Sequence, residues 1–371
     1  MRIIHCADVH LDSALNAHLG REKSKERRNE ILNTFRKMFG YAEENDIQAV
    51  IIAGDLFDSD TVSATTINVV IGEIAKHADI DVFYLRGNHD PDDSIFAGRK
   101  IPENLYLFGE EWIQYKLKES RIVITGVILT ADNCASIYDE LELDEDYINI
   151  VMLHGQEQEY GRVHDANDVC MRKLRNTGID YLALGHVHGR KFQRLDHRGV
   201  YCYPGCLEGR GFDECGEHGF MVLDVDEISH TVDAEFVPFA KRRLYSIDVD
   251  LTSACDSNDA ADRIAEQLYG EIKPVDKEYG RDLVRICLTG SVDVENEISI
   301  PYIEEQFKDS FYYLEIRDKT KLYVDPLRYA GDATLKGEFV RTVMAQNLTD
   351  EDKAFVIQTG IRALANEEIE L

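Results

Sequence analysis

Five short motifs in the first half of the chain combine histidine, acidic residues and one asparagine, and each follows a short apolar run. They are Asp8-Val-His10, Gly54-Asp55-Leu-Phe-Asp58, Gly87-Asn88-His89-Asp90, His154-Gly155 and Gly185-His186-Val-His188. Ligands of α/β sheets gather where the strands end, and side chains two residues apart on an extended segment point the same way. We therefore expect the five motifs to converge on one site.

The residue types in these motifs predict a metal centre. Imidazole, carboxylate and amide groups suit Mn²⁺, Fe²⁺ or Zn²⁺ better than Ca²⁺ or a thiolate-rich site. Seven candidate ligands are too many for one tetrahedral ion and suit two ions that share a carboxylate; they are Asp8, His10, Asp55, Asn88, His154, His186 and His188. Two ions roughly 3.5–4 Å apart can clamp both oxygens of a phosphoryl displacement, and they lower the pKa of bridging water from roughly 15.7 towards about 7, which supplies hydroxide.

The segments that carry the motifs alternate between strand-like and helical patterns, which predicts an α/β fold. Apolar runs without alternation indicate strands that are buried on both faces. We predict helices at 22–44 and near 62–77, and strands that open at Ile3-Ile4 and then cover 49–53, 82–85, 122–125, 148–153, 181–184, 200–203 and 219–224.

The second half of the chain predicts a smaller α/β unit after a short basic run, Lys241-Arg242-Arg243. Its predicted strands are 245–251, 283–289 and 311–317, and its predicted helices are 258–270 and 301–307. Two terminal helices follow, with apolar stripes at Leu335, Phe339, Val343 and at Ile357, Ile361, Leu364, the second behind a capping-box-like Thr349 and Asp352. The predicted domains are 1–240, 244–330 and 331–371.

Composition restricts the class of protein. The 371 residues are 44% apolar, which indicates a globular chain. There is no run of about 18 apolar residues, no N-terminal secretory pattern and no C-x-x-C pair among eight scattered cysteines, so we expect a cytoplasmic protein without a membrane span. The 41 basic and 70 acidic residues give a net charge of −29, which argues against holding nucleic acid by charge alone.

With all five motifs in order, the sequence resembles the calcineurin-like metallophosphoesterase superfamily, whose pattern is D-x-H, G-D-x-x-D, G-N-H-[DE], a lone H and G-H-x-H. This resemblance covers residues 1–225. Four segments also resemble the SbcD/YhaO-like branch of DNA repair exonucleases, to about residue 345; they are His5-Cys-Ala-Asp-Val-His-Leu-Asp-Ser13, Ala53-Gly-Asp-Leu-Phe-Asp58, Tyr203-Pro-Gly-Cys-Leu-Glu-Gly-Arg-Gly-Phe-Asp-Glu214 and Thr334-Leu-Lys-Gly-Glu-Phe-Val-Arg341.

The resemblance implies a fold and a role for each motif residue. The fold would be a four-layer α/β/β/α sandwich followed by a smaller α/β capping domain and terminal helices. One ion would be held by Asp8, His10 and His188, and the other by Asn88, His154 and His186, with Asp55 as the bridge. The implied catalytic residues are His89 as general acid or stabiliser of the leaving side, Asp58 as an orienting group, and Arg210. Arg210 and Arg86 are both weaker candidates for phosphate contacts, with a structural ion pair as the alternative role of each.

The resemblance further implies a nuclease of DNA repair and recombination, with 3′–5′ exonuclease or single-strand endonuclease action. Mn²⁺ is the expected metal, with Mg²⁺, Fe²⁺ or Zn²⁺ as alternatives. Expected partners are DNA, an SMC/ABC-type (SbcC-like) ATPase and a second copy of the chain, in a bacterial-type cytoplasm and near the nucleoid when acting. The apolar stripe at 350–365 would either bind the ATPase or pack against its own domain.

Two other functions remain open at this point. One is a phosphoesterase for a cyclic nucleotide or phosphomonoester, which the net charge of −29 slightly favours. The other is a non-catalytic DNA-end scaffold for an ATPase, against which the intact ligand set argues.

Two divalent ions bring about +4 against two carboxylates, so a loaded centre carries about +2. We therefore expect weak, salt-sensitive DNA binding, with affinity supplied by the metals and a partner.

Overall fold

The structure is a computed structural model, and it describes residues 1–15, 19–58, 62–159, 165–272 and 282–364. The chain divides into two compact units, Met1–Arg243 and Leu244–Leu371. The division falls at the end of the basic run that marked the expected boundary. The separation of 244–330 from 331–371 as distinct domains stays a prediction.

The first unit is built from short strands and two long helices. Its strands are β1 (Arg2–Cys6), β2 (Ala49–Ala53), β3 (Asp81–Leu85), β4 (Leu105–Leu107), β5 (Ile113–Lys116), β6 (Ile122–Gly126), β7 (Ile148–His154), β8 (Gln156–Gln158), β9 (Asp168–Cys170), β10 (Tyr181–Gly185), β11 (Lys191–Arg194), β12 (Val200–Tyr203), β13 (Gly219–Asp226) and β14 (Thr231–Pro238). Its helices are α1 (Arg21–Glu44), α2 (Ala64–Lys76) and the short α3 (Met171–Leu174), with 3-10 turns at Asp93–Phe96 and Ile137–Glu140.

Two six-stranded sheets organise this unit, in the orders β14-β13-β1-β2-β3-β4 and β11-β12-β10-β7-β6-β5. Strands β1 to β4 run parallel, as do β6, β7, β10 and β12. Parallel strands end at the same edge of their sheet. The five motifs follow β1, β2, β3, β7 and β10, so the sheet order brings them together.

Helices α1 and α2 cover the outer face of the first sheet. Ile31, Phe35 and Phe39 recur at helical spacing on α1 and pack against Val50 and Ile52 of β2. All five of these side chains are buried. Helix α2 begins behind a side-chain cap, in which the Ser63 hydroxyl accepts from the Thr66 N–H.

The two sheets pack face to face, which explains why their strands show no apolar alternation. Ile51, between Val50 and Ile52, turns to the opposite face of β2 and packs in the core that also holds Ile150 of β7. On the outer face of the second sheet, Val151 packs with Leu174 of α3. The helix–sheet–sheet–helix layering confirms the expected fold class, and the fourth layer consists of short helical segments among the described residues.

The second unit is a smaller α/β assembly. Its strands are β15 (Leu244–Asp250), β16 (Leu283–Thr289), β17 (Ser291–Asp293), β18 (Tyr313–Asp318) and β19 (Lys321–Tyr323). Its helices are α4 (Ser257–Glu271), α5 (Ile300–Phe307), α6 (Pro326–Ala330), α7 (Leu335–Met344) and α8 (Asp350–Leu364). Strands β15, β16 and β18 form a parallel sheet. No helix in the described part of the chain is long and apolar enough to cross a bilayer.

The apolar stripes of the terminal helices are only partly covered. Val343 and Ile357 are buried in a common cluster, whereas Leu335 is 69% and Leu364 is 44% exposed. The predicted cap of α8 is present, because the Thr349 hydroxyl accepts from the Asp352 N–H at 3.1 Å.

Candidate metal centre

The carboxyl ends of β1 and β2 continue side by side into the first two motifs. The Asp8 N–H donates to the Gly54 carbonyl at 3.1 Å, and the His10 N–H donates to the Asp55 carbonyl at 2.9 Å. Asp90 joins the next motif to them, because its two carboxylate oxygens accept from the N–H groups of Phe57 and Gly87. These bonds hold three loops of the first sheet together as one surface.

The backbone is strained at four of the predicted ligands. Asp8, His10 and Asp55 have φ values of 51°, 48° and 52°, and His186 has 95°. A non-glycine residue in such a conformation costs on the order of 1–3 kcal/mol and persists only where its surroundings determine it, often at functional sites. The strain therefore falls on residues that the ligand chemistry had already indicated.

One group of ligand atoms consists of Asp8, His10 and His188, which lie within 4.8 Å of one another. The Nε2 atoms of His10 and His188 are 3.2 Å apart. The Asp8 carboxylate accepts from the backbone N–H of His186, with 2.9 and 3.1 Å to its two oxygens. The first motif of one sheet thus meets the last motif of the other.

A second group consists of Asp55, His154 and His186, which also lie within 4.8 Å of one another. The Oδ1 atom of Asn88 is 3.0 Å from His154 Nε2 and 3.0 Å from His186 Nδ1. Asp55 Oδ2 is 3.4 Å from His154 Nε2 and 3.6 Å from His10 Nε2, so this carboxylate lies between the two groups. All seven predicted ligands are brought together, and their binding of metal stays a prediction.

The donor set fits two divalent ions. Asp8 and Asp55 are 0% and 1% exposed, and buried carboxylates are costly unless cations neutralise them. Only glycine allows the close approach of the loops: a Cβ at Gly54, whose φ is +93°, would lie 2.0 Å from Nδ1 of His154. Mixed carboxylate, amide and imidazole donors are typical of sites for Mn²⁺, Fe²⁺ or Zn²⁺.

Burial and mutual charge set the protonation of the cluster. Burial raises the pKa of Asp8 to about 6. Burial also acts to raise the pKa of Asp55, but the hydrogen bond and charge of His154 outweigh it and hold that pKa below its usual range. The same contact raises the pKa of His154 against its own burial, whereas burial lowers the pKa of His186. A metal ion that binds Nε2 of His154 must displace the proton that the contact with Asp55 favours on that atom.

Two of the histidines are oriented from behind. His154 Nδ1 lies 2.9 Å from the Ala53 carbonyl and donates to it, which leaves Nε2 directed into the cluster. His188 Nδ1 lies 2.8 Å from Oε1 of Glu214. Sequence reasoning did not single out Glu214, although it ends the 203–214 segment that carried part of the family resemblance.

The predicted catalytic residues lie beside the cluster. The His89 N–H donates to Asp55 Oδ1 at 2.9 Å, its half-exposed ring is 5.1 Å from the His10 ring, and its Nδ1 is 3.9 Å from Asp58 Oδ1. Arg210 Nη2 donates to Glu214 at 2.8 Å. A proton-transfer role for His89, an orienting role for Asp58 and a phosphate contact for Arg210 stay predictions.

Comparisons with known proteins show what this chain is similar to. A family model for calcineurin-like phosphoesterases matches residues 1–190. The chain is 29% identical over 238 residues to the uncharacterized metallophosphoesterase YhaO of Bacillus subtilis, across 61% of this chain and 57% of that protein. It is 24% identical over 277 residues to the DNA double-strand break repair protein Mre11 of Methanopyrus kandleri, across 67% and 59%.

The protein of the same name from Aeropyrum pernix is 24% identical over 313 residues, across 77% of this chain and 73% of that protein. The chain thus spans less than two thirds of the length of YhaO and of the Methanopyrus protein. Two solved structures, TT1561 of Thermus thermophilus and a dimetal phosphatase from Danio rerio, are each 12% identical with a TM-score of 0.39. They cover 63% and 60% of this chain, and 98% and 92% of their own.

Proposed function

The chain belongs to the calcineurin-like phosphoesterase family, and we propose that it is a metal-dependent DNA nuclease that hydrolyses phosphodiester bonds in DNA repair. The family acts on phosphoester bonds and uses divalent metal ions. The observation that carries the proposal is the convergence of two carboxylates, one amide and four imidazoles at adjoining strand ends. Mn²⁺ as the metal, and 3′–5′ exonuclease or single-strand endonuclease action, are part of the proposal.

The seven side chains would hold two ions in two adjoining groups. Bound divalent ions make water acidic and stabilise negative charge on phosphoryl oxygens. Asp55 would be shared by the two ions, because its carboxylate is within 3.6 Å of a histidine of each group. One ion would be held by Asp8, His10 and His188, and the other by Asn88, His154 and His186.

His89 is the proposed proton donor to the leaving oxygen. Its N–H bond to Asp55 fixes the loop, and its half-exposed ring remains accessible to a substrate. An imidazole can donate or accept a proton near neutral pH. Asp58 would orient the ring, since a contact that is long without substrate often tightens when substrate binds. Arg210 would contact phosphate or hold its neighbours in place.

DNA is the proposed substrate because two relatives are named as DNA double-strand break repair proteins. The similarity to the Aeropyrum protein covers 77% of the chain, so it extends beyond the unit Met1–Arg243 into the second unit. A capping role for 244–330 in DNA access is part of the same proposal.

The distribution of basic side chains sets how DNA would be held. The 151–200 block has a small excess of basic residues, but several of them are neutralised in ion pairs. These pairs are Lys173–Asp139, Arg175–Glu159, Lys191–Glu157 and Arg198–Asp180. We therefore propose that affinity for DNA comes from the bound ions and from a partner, such as an SMC/ABC-type ATPase or a second copy of the chain.

The test is an assay of the full chain with Mn²⁺ on linear duplex DNA, single-stranded DNA and bis-p-nitrophenyl phosphate. We expect shortening of duplex ends or cleavage of single strands that chelator abolishes. The control is His186→Ala, which removes one predicted ligand and should lower both the metal content by elemental analysis and the activity. Hydrolysis of small phosphoesters alone would refute the nuclease, and two bound ions without hydrolysis would favour the scaffold.

A further inference from the structure

Glu214 is a buried carboxylate that contacts a predicted metal ligand from outside the cluster. Its side chain is 4% exposed. Its Oε1 atom is 2.8 Å from His188 Nδ1 and 2.8 Å from Arg210 Nη2. One carboxylate oxygen therefore accepts from an imidazole and a guanidinium at once.

The contact with Glu214 sets which ring nitrogen of His188 carries the proton. Arg210 Nη2 lies 3.2 Å from Nδ1 and 3.5 Å from Nε2, so this donor lies over the ring and not in line with either lone pair. An ionised carboxylate only accepts, so Nδ1 donates to Glu214 at 2.8 Å. Nε2, the atom that faces His10 at 3.2 Å, then keeps its lone pair.

The loop that carries Glu214 is fixed at the end nearest to His188. The Arg210 N–H donates to Glu214 Oε2 at 2.7 Å, so both carboxylate oxygens are occupied. The Cys206 N–H donates to the His188 carbonyl at 3.2 Å. His188 is thus held by the same loop through its backbone and through its side chain.

A second buried carboxylate fixes the same loop between Cys206 and Arg210. Glu208 is 0% exposed. It accepts from Thr34 Oγ1 and from the Lys241 N–H at 2.6 Å each, and from Arg27 Nη2 at 3.0 Å. These partners come from α1 and from the end of the first unit, so the loop position is set by contacts independent of the metal cluster.

We propose that Glu214 is a positioning residue that sets the tautomer of His188. In the required tautomer Nε2 of His188 presents a lone pair beside Asp8 and His10. The inference rests on the metal-binding part of the proposed function and is independent of DNA as the substrate.

The test compares metal binding by the full chain and three variants. Apo protein is titrated with Mn²⁺ by calorimetry, and the wild type should bind two ions. Glu214→Ala should weaken one ion by about 10- to 100-fold, the usual effect of losing a group that orients a ligand, and leave the other unchanged. Glu214→Leu, which fills the space without an acceptor, should weaken the same ion. Glu214→Gln keeps an acceptor oxygen for Nδ1 and should therefore restore part of the affinity.

Nitrogen-15 NMR of histidine-labelled apo protein reads the tautomer without metal. In the wild type His188 should carry its proton on Nδ1, and in Glu214→Ala the proton should no longer be confined to that nitrogen. Asp180→Asn is the matched control: Asp180 is also buried and accepts from Arg198, and its loss should cost stability without changing Mn²⁺ affinity.

Three results would overturn the inference. They are wild-type affinity for both ions in Glu214→Ala or, should that variant not fold, in Glu214→Leu; an equal loss in Asp180→Asn; and a loss in Glu214→Gln as large as in Glu214→Leu. DNA that stays intact with two ions bound would refute the nuclease and leave this inference standing. A wild-type chain that binds no Mn²⁺ would refute both.

Discussion

Glu30 of α1 offers a sharp test of how buried charge stabilises the first unit. Its side chain is 5% exposed and accepts from Arg27 Nη1 at 2.6 Å and from Arg242 Nε and Nη2 at 2.8 and 2.6 Å. Lys241 also binds it. Two members of the basic run 241–243 are therefore ion-paired inside the unit and do not form a free cationic patch. We predict that Glu30→Gln destabilises the protein at neutral pH and much less in acid.

The magnitude follows from the pKa of Glu30. Burial alone would raise it, but the hydrogen bonds from Arg242, Lys241 and Arg27 outweigh burial and lower the pKa from 4.5 to about 2. This difference corresponds to about 3 kcal/mol of unfolding free energy when the carboxylate is ionised in both states. Because the folded-state pKa is the lower one, the stabilisation is complete above pH 4.5 and is lost as the pH falls through about 2. At pH 3 about 1 kcal/mol should remain.

The assay is urea unfolding at pH 7 and at pH 3, followed by tryptophan fluorescence. The chain has one tryptophan, Trp112, which lies in the first unit and donates to the Ile137 carbonyl, so its emission reports this unit. Glu217→Gln is the control, because Glu217 pairs with Arg243 at the surface, where both side chains are at least a third exposed. An exposed pair contributes about 0–1 kcal/mol.

Two results would refute the reasoning. If Glu30→Gln destabilised the chain equally at pH 7 and pH 3, its effect would come from packing and not from charge. If its effect at pH 7 were no larger than that of Glu217→Gln, the buried network would contribute no more than a surface pair.

Two further predictions concern the metal centre. His89→Asn should keep both Mn²⁺ ions by elemental analysis but lose most of its turnover. The control His197→Asn, at an exposed histidine, should keep the metal content and the turnover of the wild type. Unchanged turnover in His89→Asn would remove His89 from the mechanism. Gly54→Ala should lose metal, because its Cβ would fall 2.0 Å from His154 Nδ1. Gly98→Ala has the same left-handed strain of about 1–2 kcal/mol without a described atom within 4 Å, so equal metal loss in both variants would contradict the steric argument.

The sequence predicted most of the fold because its patterns are local. The spacing of Ile31, Phe35 and Met38 predicts α1, and its observed range begins one residue before the predicted one. The unalternated run at 49–53 predicts a strand buried on both faces, and β2 covers the same residues. Such patterns depend only on nearby residues of the same helix or strand. They can therefore be recognised without knowing which segment packs against it.

The candidate ligands were also readable from the sequence, because metal chemistry restricts residue types and parallel strands end at a common edge. Their division into two groups came from the resemblance, and the distances among Asp8, His10 and His188 and among Asp55, His154 and His186 agree with it. Their binding of metal stays a prediction until ion content is measured.

What the sequence alone determined is therefore the inventory: the strands, the helices, and the imidazoles and carboxylates that follow the strands. Which charges meet was decided by the tertiary structure. Arg242 binds Glu30 across 212 positions of the chain, and Glu214 contacts His188 from the loop between β12 and β13. The physical reason is that charge pairing is set by distance and burial in the folded chain, which no local period encodes. The orientation of His188, and with it the proposed metal affinity, is a property of that folded arrangement.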